Sequence, residues 1–203
     1  DETLKTNVNS VFQSSKTGRI WTAGGTGIGY IDTSSNKILD FNRYNEFYAF
    51  KNQAVSHFYE NEEGIWLATS NGLYLLDETN GIIAEYNTLF PSSEFVYVYE
   101  DKSGVFWLGT QGDGLIRWDR AKDEIQQFTN TNGLSNNVIY AVYEDDFGYL
   151  WLPSNYGLMR FNKQTHEVTT YLPEDGLPHH EFNIFSHARA PDGRLFFGGL
   201  GGI

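Results

Sequence analysis

Residues 100–119, EDKSGVFWLGTQGDGLIRWD, hold the pattern that decides the fold, because variants of it occur along the whole chain. Another copy, EDDFGYLWLPSNYGLMRFN, covers residues 144–162, and further copies begin at residues 14, 60 and 190. An aromatic anchor recurs with spacings of 45, 41, 44 and 45 residues, at Trp21, Trp66, Trp107, Trp151 and Phe196. A glycine anchor keeps nearly the same period, at Gly27, Gly72, Gly114, Gly157 and Gly202. Two anchors with one period over five copies indicate a repeat architecture.

Each period contains four short β-type runs separated by turn residues. In the fourth copy the runs cover residues 138–145, 149–154, 157–162 and 167–172, and they are rich in Val, Ile, Tyr, Phe and Trp. The first run is apolar on both faces, as is typical of a strand that is covered on both sides. Four antiparallel strands per period of about 40–50 residues predict the blades of a β-propeller, with the tryptophans wedged between adjacent blades.

We therefore predict an all-β fold in which the chain is a β-propeller segment of four-stranded antiparallel blades. The blades are expected at residues 1–54, 55–94, 95–137 and 138–182, with a partial blade at residues 183–203. Propellers close on themselves with about 4–8 blades, and the last copy stops just after its glycine anchor. The chain is accordingly expected to be an excerpt of a larger propeller.

The charge balance limits the class of partner. The chain has 14 basic and 26 acidic residues, so its net charge is −12. Such a chain would repel a nucleic-acid backbone and an anionic membrane surface. It has no cysteine, which excludes disulfides and thiolate chemistry. No apolar run approaches the ~18 residues of a membrane span. We expect no nucleic-acid partner and no direct membrane insertion in this segment.

Motif searches give no catalytic signature. The sequence His180–Ile184 begins like a metalloprotease helix, but Ile184 stands where the second histidine must be. The glycines at residues 24–29 lack the spacing of a dinucleotide-binding turn, and neither a P-loop nor a nucleophile elbow is present. We expect no catalytic residue, no cofactor and no bound metal, and each of the five histidines is expected to be satisfied by its neighbours.

Acidic residues end the first strand of two copies, at Glu100–Asp101 and Glu144–Asp146. Their recurrence at one position predicts a role in the fold, with short carboxylates accepting hydrogen bonds from turn N–H groups. Calcium would need six or more oxygen ligands. Whether it binds these turns stays open at the level of sequence.

The loops that enter each innermost strand are expected to share one face with the loops between second and third strands. That face collects planar hydrogen-bonding groups beside an aromatic ring, which suits the hydroxyl groups and apolar face of a sugar. The predicted ligand-binding residues are Tyr156, His180, Asn155, Asn137, His179, Asn183, Gln111 and Asp113. Tyr156 and His180 are preferred, because a turn requires neither of them. A small polar ligand is expected against loops 135–137, 155–156 and 179–183, and not in the acidic turns 100–103 and 144–147 on the opposite face.

The third and fourth copies resemble the two-component regulator propeller repeat. In that repeat an acidic pair, Gly, Trp-Leu-Gly-Thr, Gly-Leu, Asp and Gly-Leu-Ser-Asn follow in order, and Gly133–Asn136 supplies the last element here. The first two copies depart from the pattern, although the resemblance extends over residues 8–203. It implies the periplasmic or otherwise extracytoplasmic sensor domain of a membrane-anchored signal-transduction protein, with a small-molecule or oligosaccharide ligand. A homodimer would form through the full-length protein.

Two other functions remain open from the sequence. One is a propeller hydrolase or lyase that acts on polysaccharide, which as a glycosidase would need paired carboxylates that the spacing does not reveal. The other is a scaffold for protein interaction or dimerisation.

Overall fold

The first compact unit of the chain consists of two antiparallel sheets. The computed structural model describes residues 7–25, 27–41, 53–92 and 94–202, divided into one unit that ends at Phe95 and a second that begins at Val96. Each sheet of the first unit is a four-stranded meander in chain order. The strands are β1 (Val8–Gln13), β2 (Ile20–Gly24), β3 (Gly27–Asp32), β4 (Lys37–Asp40), β5 (Val55–Glu60), β6 (Ile65–Thr69), β7 (Gly72–Asp77) and β8 (Gly81–Glu85). The predicted outer boundaries at residues 1 and 203 lie outside the described residues.

The second unit repeats the same sheet twice and adds a two-stranded hairpin. Its strands are β9 (Phe95–Glu100, whose first residue closes the first unit), β10 (Val105–Thr110), β11 (Leu115–Asp119), β12 (Glu124–Phe128), β13 (Tyr143–Glu144), β14 (Tyr149–Pro153), β15 (Leu158–Asn162), β16 (Val168–Tyr171), β17 (Phe182–Arg189) and β18 (Leu195–Gly199). Short 3₁₀ turns at Asn130–Asn132 and Pro173–Asp175 lead from an outer strand to the next inner strand. The prediction of an all-β propeller segment built from four-stranded antiparallel blades is confirmed.

The innermost strand of the fourth blade is shorter than the predicted run of residues 138–145. Only Tyr143–Glu144 pairs regularly with β14, and the residues before it make isolated bridges. The carbonyl of Pro153 on β14 accepts from the Tyr140 N–H at 2.9 Å. Because proline has no N–H, Pro153 cannot donate the second hydrogen bond of a regular ladder. The predicted length was therefore wrong. Residues 139–142 are nevertheless buried, as a strand covered on both faces requires.

Three of the four tryptophan anchors lie in the cores as predicted, and the fourth, Trp151, does not reach full burial. Trp21, Trp66 and Trp107 are at most 1% exposed, and Trp151 is half-buried. The Trp107 ring packs edge-on against Phe161 of β15 with 5.7 Å between ring centroids, so it wedges between the third and fourth blades. The fifth anchor differs, because Phe196 is 39% exposed in a sheet that has only two described strands to pack against.

The recurring aspartates accept hydrogen bonds both from the first turn of the blade and from the indole of the tryptophan anchor. Asp101 accepts hydrogen bonds from the backbone N–H groups of Ser103 and Val105 at 2.9 and 3.3 Å, and from the Trp107 indole at 3.0 Å. Asp145 repeats the arrangement in the next blade, with its indole contact to Trp151 at 2.8 Å. The predicted turn role is confirmed. The bond to the indole, which explains the six-residue spacing between acid and tryptophan, was not predicted.

A lysine joins the turns of the third and fourth blades. The Lys163 ammonium lies 2.9 Å from the Asp101 carboxylate and 2.7 Å from the Glu144 carboxylate. Burial raises the pKa of Asp101, but the hydrogen bonds from Trp107 and Lys163 outweigh it and leave that pKa below its ordinary value. One carboxylate from each of the two acidic runs is thus paired with Lys163.

A half-buried histidine connects the inner strands of the second unit. The Tyr143 hydroxyl on β13 lies 2.9 Å from Nδ1 of His187 on β17, and Tyr97 on β9 packs edge-on against the same imidazole. Nε2 of His187 lies 3.1 Å from the Ile184 carbonyl, which can only accept, so Nε2 carries the proton and Nδ1 accepts from Tyr143. Burial lowers the pKa of His187 below its ordinary value.

This depressed pKa makes the stability of the fold depend on pH. Below the unfolded pKa of about 6.5, the unfolded chain binds a proton that folded His187 resists. The stability that neutral His187 contributes is therefore present above about pH 6.5 and declines as the pH falls from there towards the folded pKa. We expect Tm to fall between pH 7.5 and pH 5.5 and His187→Gln to flatten that fall, as measured by thermal unfolding at both pH values. His180→Gln is the matched control, and equal flattening in it would contradict the assignment.

Candidate functional site

Two glycines at the same position of the repeat form backbone hydrogen bonds to the segment that precedes the inner strand of the next blade. The N–H of Gly114 donates to the carbonyl of Asn137, and the N–H of Gly157 donates to the carbonyl of His180, both at 2.7 Å. Both glycines have positive φ, +79° and +83°, which other residues adopt only at a cost. The glycine anchor of the repeat therefore brings the loop between second and third strands against the segment that starts the following blade.

In the fourth blade this arrangement brings the two preferred ligand-binding residues together. The rings of Tyr156 and His180 are stacked, with centroids 5.3 Å apart and planes 19° apart. Tyr156 is 46% exposed, and Ser135 supports its backbone by donating to its carbonyl at 2.6 Å. The pair forms an aromatic surface that is open to solvent on its outer side.

Three further predicted residues use their acceptor atoms inside the protein. Oδ1 of Asn155 accepts from the Tyr140 hydroxyl. Nδ1 of His179 accepts from the Glu181 backbone N–H at 3.0 Å, and Oδ1 of Asn137 accepts from the Asn130 backbone N–H at 2.7 Å. Because a backbone N–H can only donate, the last two bonds fix which side-chain atom is the acceptor. The side-chain N–H groups of all three have no hydrogen-bond partner among the described residues, so a ligand could use them.

The remaining predicted residues are not gathered at the aromatic pair. Gln111 bridges Val138 at the start of the fourth blade, and Asp113 closes the loop of the third blade by a bond from its N–H to Thr110. Both side chains are exposed. Asn183 is exposed on β17. The structure thus places Asn155, Tyr156, His179 and His180 in one group, and Gln111, Asp113 and Asn137 around the neighbouring loop of the third blade.

Tyr140, which is not among the residues predicted from the sequence, supports the first group from the core. Its ring is buried on the inner side of the blade, and its hydroxyl holds Asn155. Burial and the nearby Glu181 carboxylate raise the pKa of Tyr140. One feature of the sequence could have pointed to Tyr140. It places a hydroxyl group at a core position of the repeat where the third copy has the apolar Val96. Hereafter the loop cluster means Tyr140, Asn155, Tyr156, His179, His180 and Glu181.

The described residues offer neither a metal site nor a membrane-spanning helix. Across the described ranges, histidine and acidic side chains nowhere gather in a group of three that could hold a metal ion. Within those ranges, no helix combines the length and apolar character needed to cross a membrane.

Four-stranded antiparallel meanders repeated along the chain, with loops tied to the following inner strand, define a β-propeller. Residues 133–152 match the family model described as two component regulator propeller, which confirms the resemblance seen in the third and fourth copies. The matched segment runs from the Gly-Leu-Ser-Asn element to the acid–tryptophan turn of the fourth blade.

Three known proteins are similar to this chain. Histidine kinase P4 from Formosa agariphila is 28% identical over 195 residues, which cover 91% of this chain and 14% of that protein. The extracellular domain of a hybrid two component system from B. thetaiotaomicron has a TM-score of 0.78 at 24% identity, covering 96% of this chain and 28% of that one. Virginiamycin B lyase from Staphylococcus aureus has a TM-score of 0.66 at 16% identity, covering 97% and 64%. At these identities the likeness to the solved structures shows a shared fold. The chain spans a small part of the length of the kinase.

Proposed function

We propose that this chain is the ligand-binding part of an extracytoplasmic sensor in a membrane-anchored signal-transduction protein, and that its ligand is an oligosaccharide. The segment itself has no catalytic role in this proposal. Any output activity belongs to other parts of the full-length protein.

The relatives support the sensor role. A protein named as a histidine kinase contains a segment similar to nearly the whole chain, and the same fold occurs in an extracellular domain of a hybrid two component system. In the histidine kinase the matching part is 14% of the protein, as expected when a binding domain is joined to separate signalling domains. In this proposal the signal is transmitted by a homodimer of the full-length protein. The dimer contacts are made by parts of the protein outside this segment.

The side chains of the loop cluster support an oligosaccharide as the ligand. The stacked Tyr156 and His180 rings offer an exposed apolar surface, and Asn155 and His179 present N–H donors beside it. Sugars combine an apolar ring face with a rim of oxygen atoms, so one surface of this kind satisfies both parts of the ligand.

The proposal is tested by removing the aromatic pair. We expect Tyr156→Ala with His180→Ala to weaken oligosaccharide binding by about 10- to 100-fold, which corresponds to about 1.4–2.8 kcal/mol. The Tm should change little, because surface substitutions usually cost less than ~0.5 kcal/mol. A thermal-shift screen of an oligosaccharide library finds the ligand, and calorimetric titration measures the affinities.

Phe147→Ala is the matched control, because Phe147 is 87% exposed in the turn at the other end of β14. It should bind like the wild type. Equal loss in the control, or unchanged affinity in the double variant, would contradict the assignment of the site.

The alternative of an enzyme makes a different prediction for the same samples. The fold is shared with a lyase, and His179, His180 and Glu181 are groups that can transfer protons. A sensor leaves its ligand intact during prolonged incubation. New reducing ends or unsaturated products that vanish in the double variant would replace the sensor proposal by a hydrolase or lyase.

A further inference from the structure

Within the loop cluster, the side chains beside the aromatic pair differ in what they can still offer a ligand. Asn155 has its carbonyl oxygen occupied by Tyr140, and His179 has Nδ1 occupied by the Glu181 backbone. Their remaining groups, Nδ2–H₂ and Nε2–H, can only donate. Neither group has a hydrogen-bond partner among the described residues. A ligand that engages these two groups must therefore present an acceptor oxygen to them.

One side chain of the cluster has the opposite character. The Glu181 carboxylate is an acceptor, and among the residues that the structure describes it has no ion pair and no hydrogen bond. Its backbone is fixed, because its carbonyl accepts from the Leu200 N–H at 3.2 Å and its N–H reaches His179. The charge of the Glu181 carboxylate raises the pKa of the Tyr140 hydroxyl, which also donates to Asn155.

A donor pair, an acceptor and an aromatic surface can all be used at once by an amide group that carries a methyl group. Resting on the function proposed above, we propose that the loop cluster recognises the acetamido group of an N-acetylated sugar. The acetamido carbonyl accepts from Asn155 and His179, its N–H donates to Glu181, and the sugar face with its methyl group lies on the Tyr156–His180 rings. A uronic acid or sulfated sugar would satisfy the donors but would bring a second negative charge next to Glu181, and it is disfavoured for that reason.

Two trisaccharides with the same β-1,4 backbone separate the acetamido group from the sugar itself. Triacetylchitotriose carries it and cellotriose has a hydroxyl in its place. Calorimetric titration of this chain is expected to give at least 10-fold tighter binding of triacetylchitotriose. Glu181→Ala should weaken that binding about 10-fold and leave cellotriose unaffected, whereas Glu181→Gln, which keeps an acceptor oxygen, should stay within about threefold of the wild type. Glu174→Ala, an exposed glutamate seven residues earlier, is the control, and Tm values verify that each variant folds.

The outcomes separate this inference from the proposed function. Equal binding of the two trisaccharides, tighter binding of an oligogalacturonide, or a Glu181→Ala effect that is the same for both sugars would overturn the acetamido assignment. Any other library ligand whose binding depends on Tyr156 would also overturn it, and in each of these cases the sensor function would stand. If no saccharide in the library binds the wild type, the proposed function fails together with the inference.

Discussion

Replacing Trp107 by alanine is expected to lower the free energy of unfolding by about 3–5 kcal/mol, because a large buried ring is lost and a cavity remains. The ring fills the space between the third and fourth blades against Phe161, and its indole N–H is bound by Asp101. Removing it also leaves part of the Asp101 carboxylate without its buried donor, which adds to the cost. Urea unfolding at equilibrium, with the m-value verified to be unchanged, measures the loss.

The equivalent substitution in the next blade is the comparison. Trp151 has the same acid–indole bond at 2.8 Å but is only half-buried and stacks on Tyr171 within its own blade. Its replacement by alanine is expected to cost clearly less than that of Trp107. An equal or larger loss at Trp151 would show that burial between blades is not the main source of the anchor's contribution.

Replacing Gly114 by alanine is also expected to be strongly destabilising, by about 2–5 kcal/mol. Its φ of +79° disfavours any residue with a Cβ atom by about 1–2 kcal/mol. The added Cβ would also collide with the carbonyl oxygen of Phe128, which belongs to the neighbouring strand and cannot rotate away. Such overpacking typically adds about 1–3 kcal/mol. Thermal or urea unfolding tests the sum.

Gly112, two residues earlier in the same loop, is the control for the backbone term alone. It too has positive φ, +151°, but a Cβ atom there would meet nothing within 4 Å. Gly112→Ala should therefore cost no more than the conformational part. If the two variants are equally destabilised, the close approach to Phe128 has no role, and the recurring glycine is required for its conformation only.

The repeat made the blades predictable, since each copy carries its strands, its turn residues and its tryptophan in one order. The turn role of Asp101 and Asp145 followed from recurrence alone. The shortened inner strand of the fourth blade did not, because it depends on which partner each backbone group finds, and Pro153 removes one donor from that pairing. The exposure of Phe196 likewise depends on packing partners that a repeat pattern does not count.

The candidate site was predictable to a lesser degree. Residue type and loop position singled out Tyr156 and His180 as candidate ligand-binding residues, and the structure stacks their rings on each other. The support that Tyr140 gives to Asn155 could not be foreseen, because a tyrosine in an apolar run is expected to serve the core. The same holds for the direction in which each amide and imidazole points, since that is decided by single hydrogen bonds across loops that are far apart in sequence.

The central claim, that an oligosaccharide binds at the loop cluster, is tested most directly by hydrogen exchange with and without a saturating ligand from the library screen. Bound ligand should slow exchange of backbone N–H groups in residues 135–137, 155–156 and 179–183, and leave the turns at residues 100–103 and 144–147 unchanged. Protection confined to those turns, or no protection in the second unit at a concentration that saturates binding, would contradict the account.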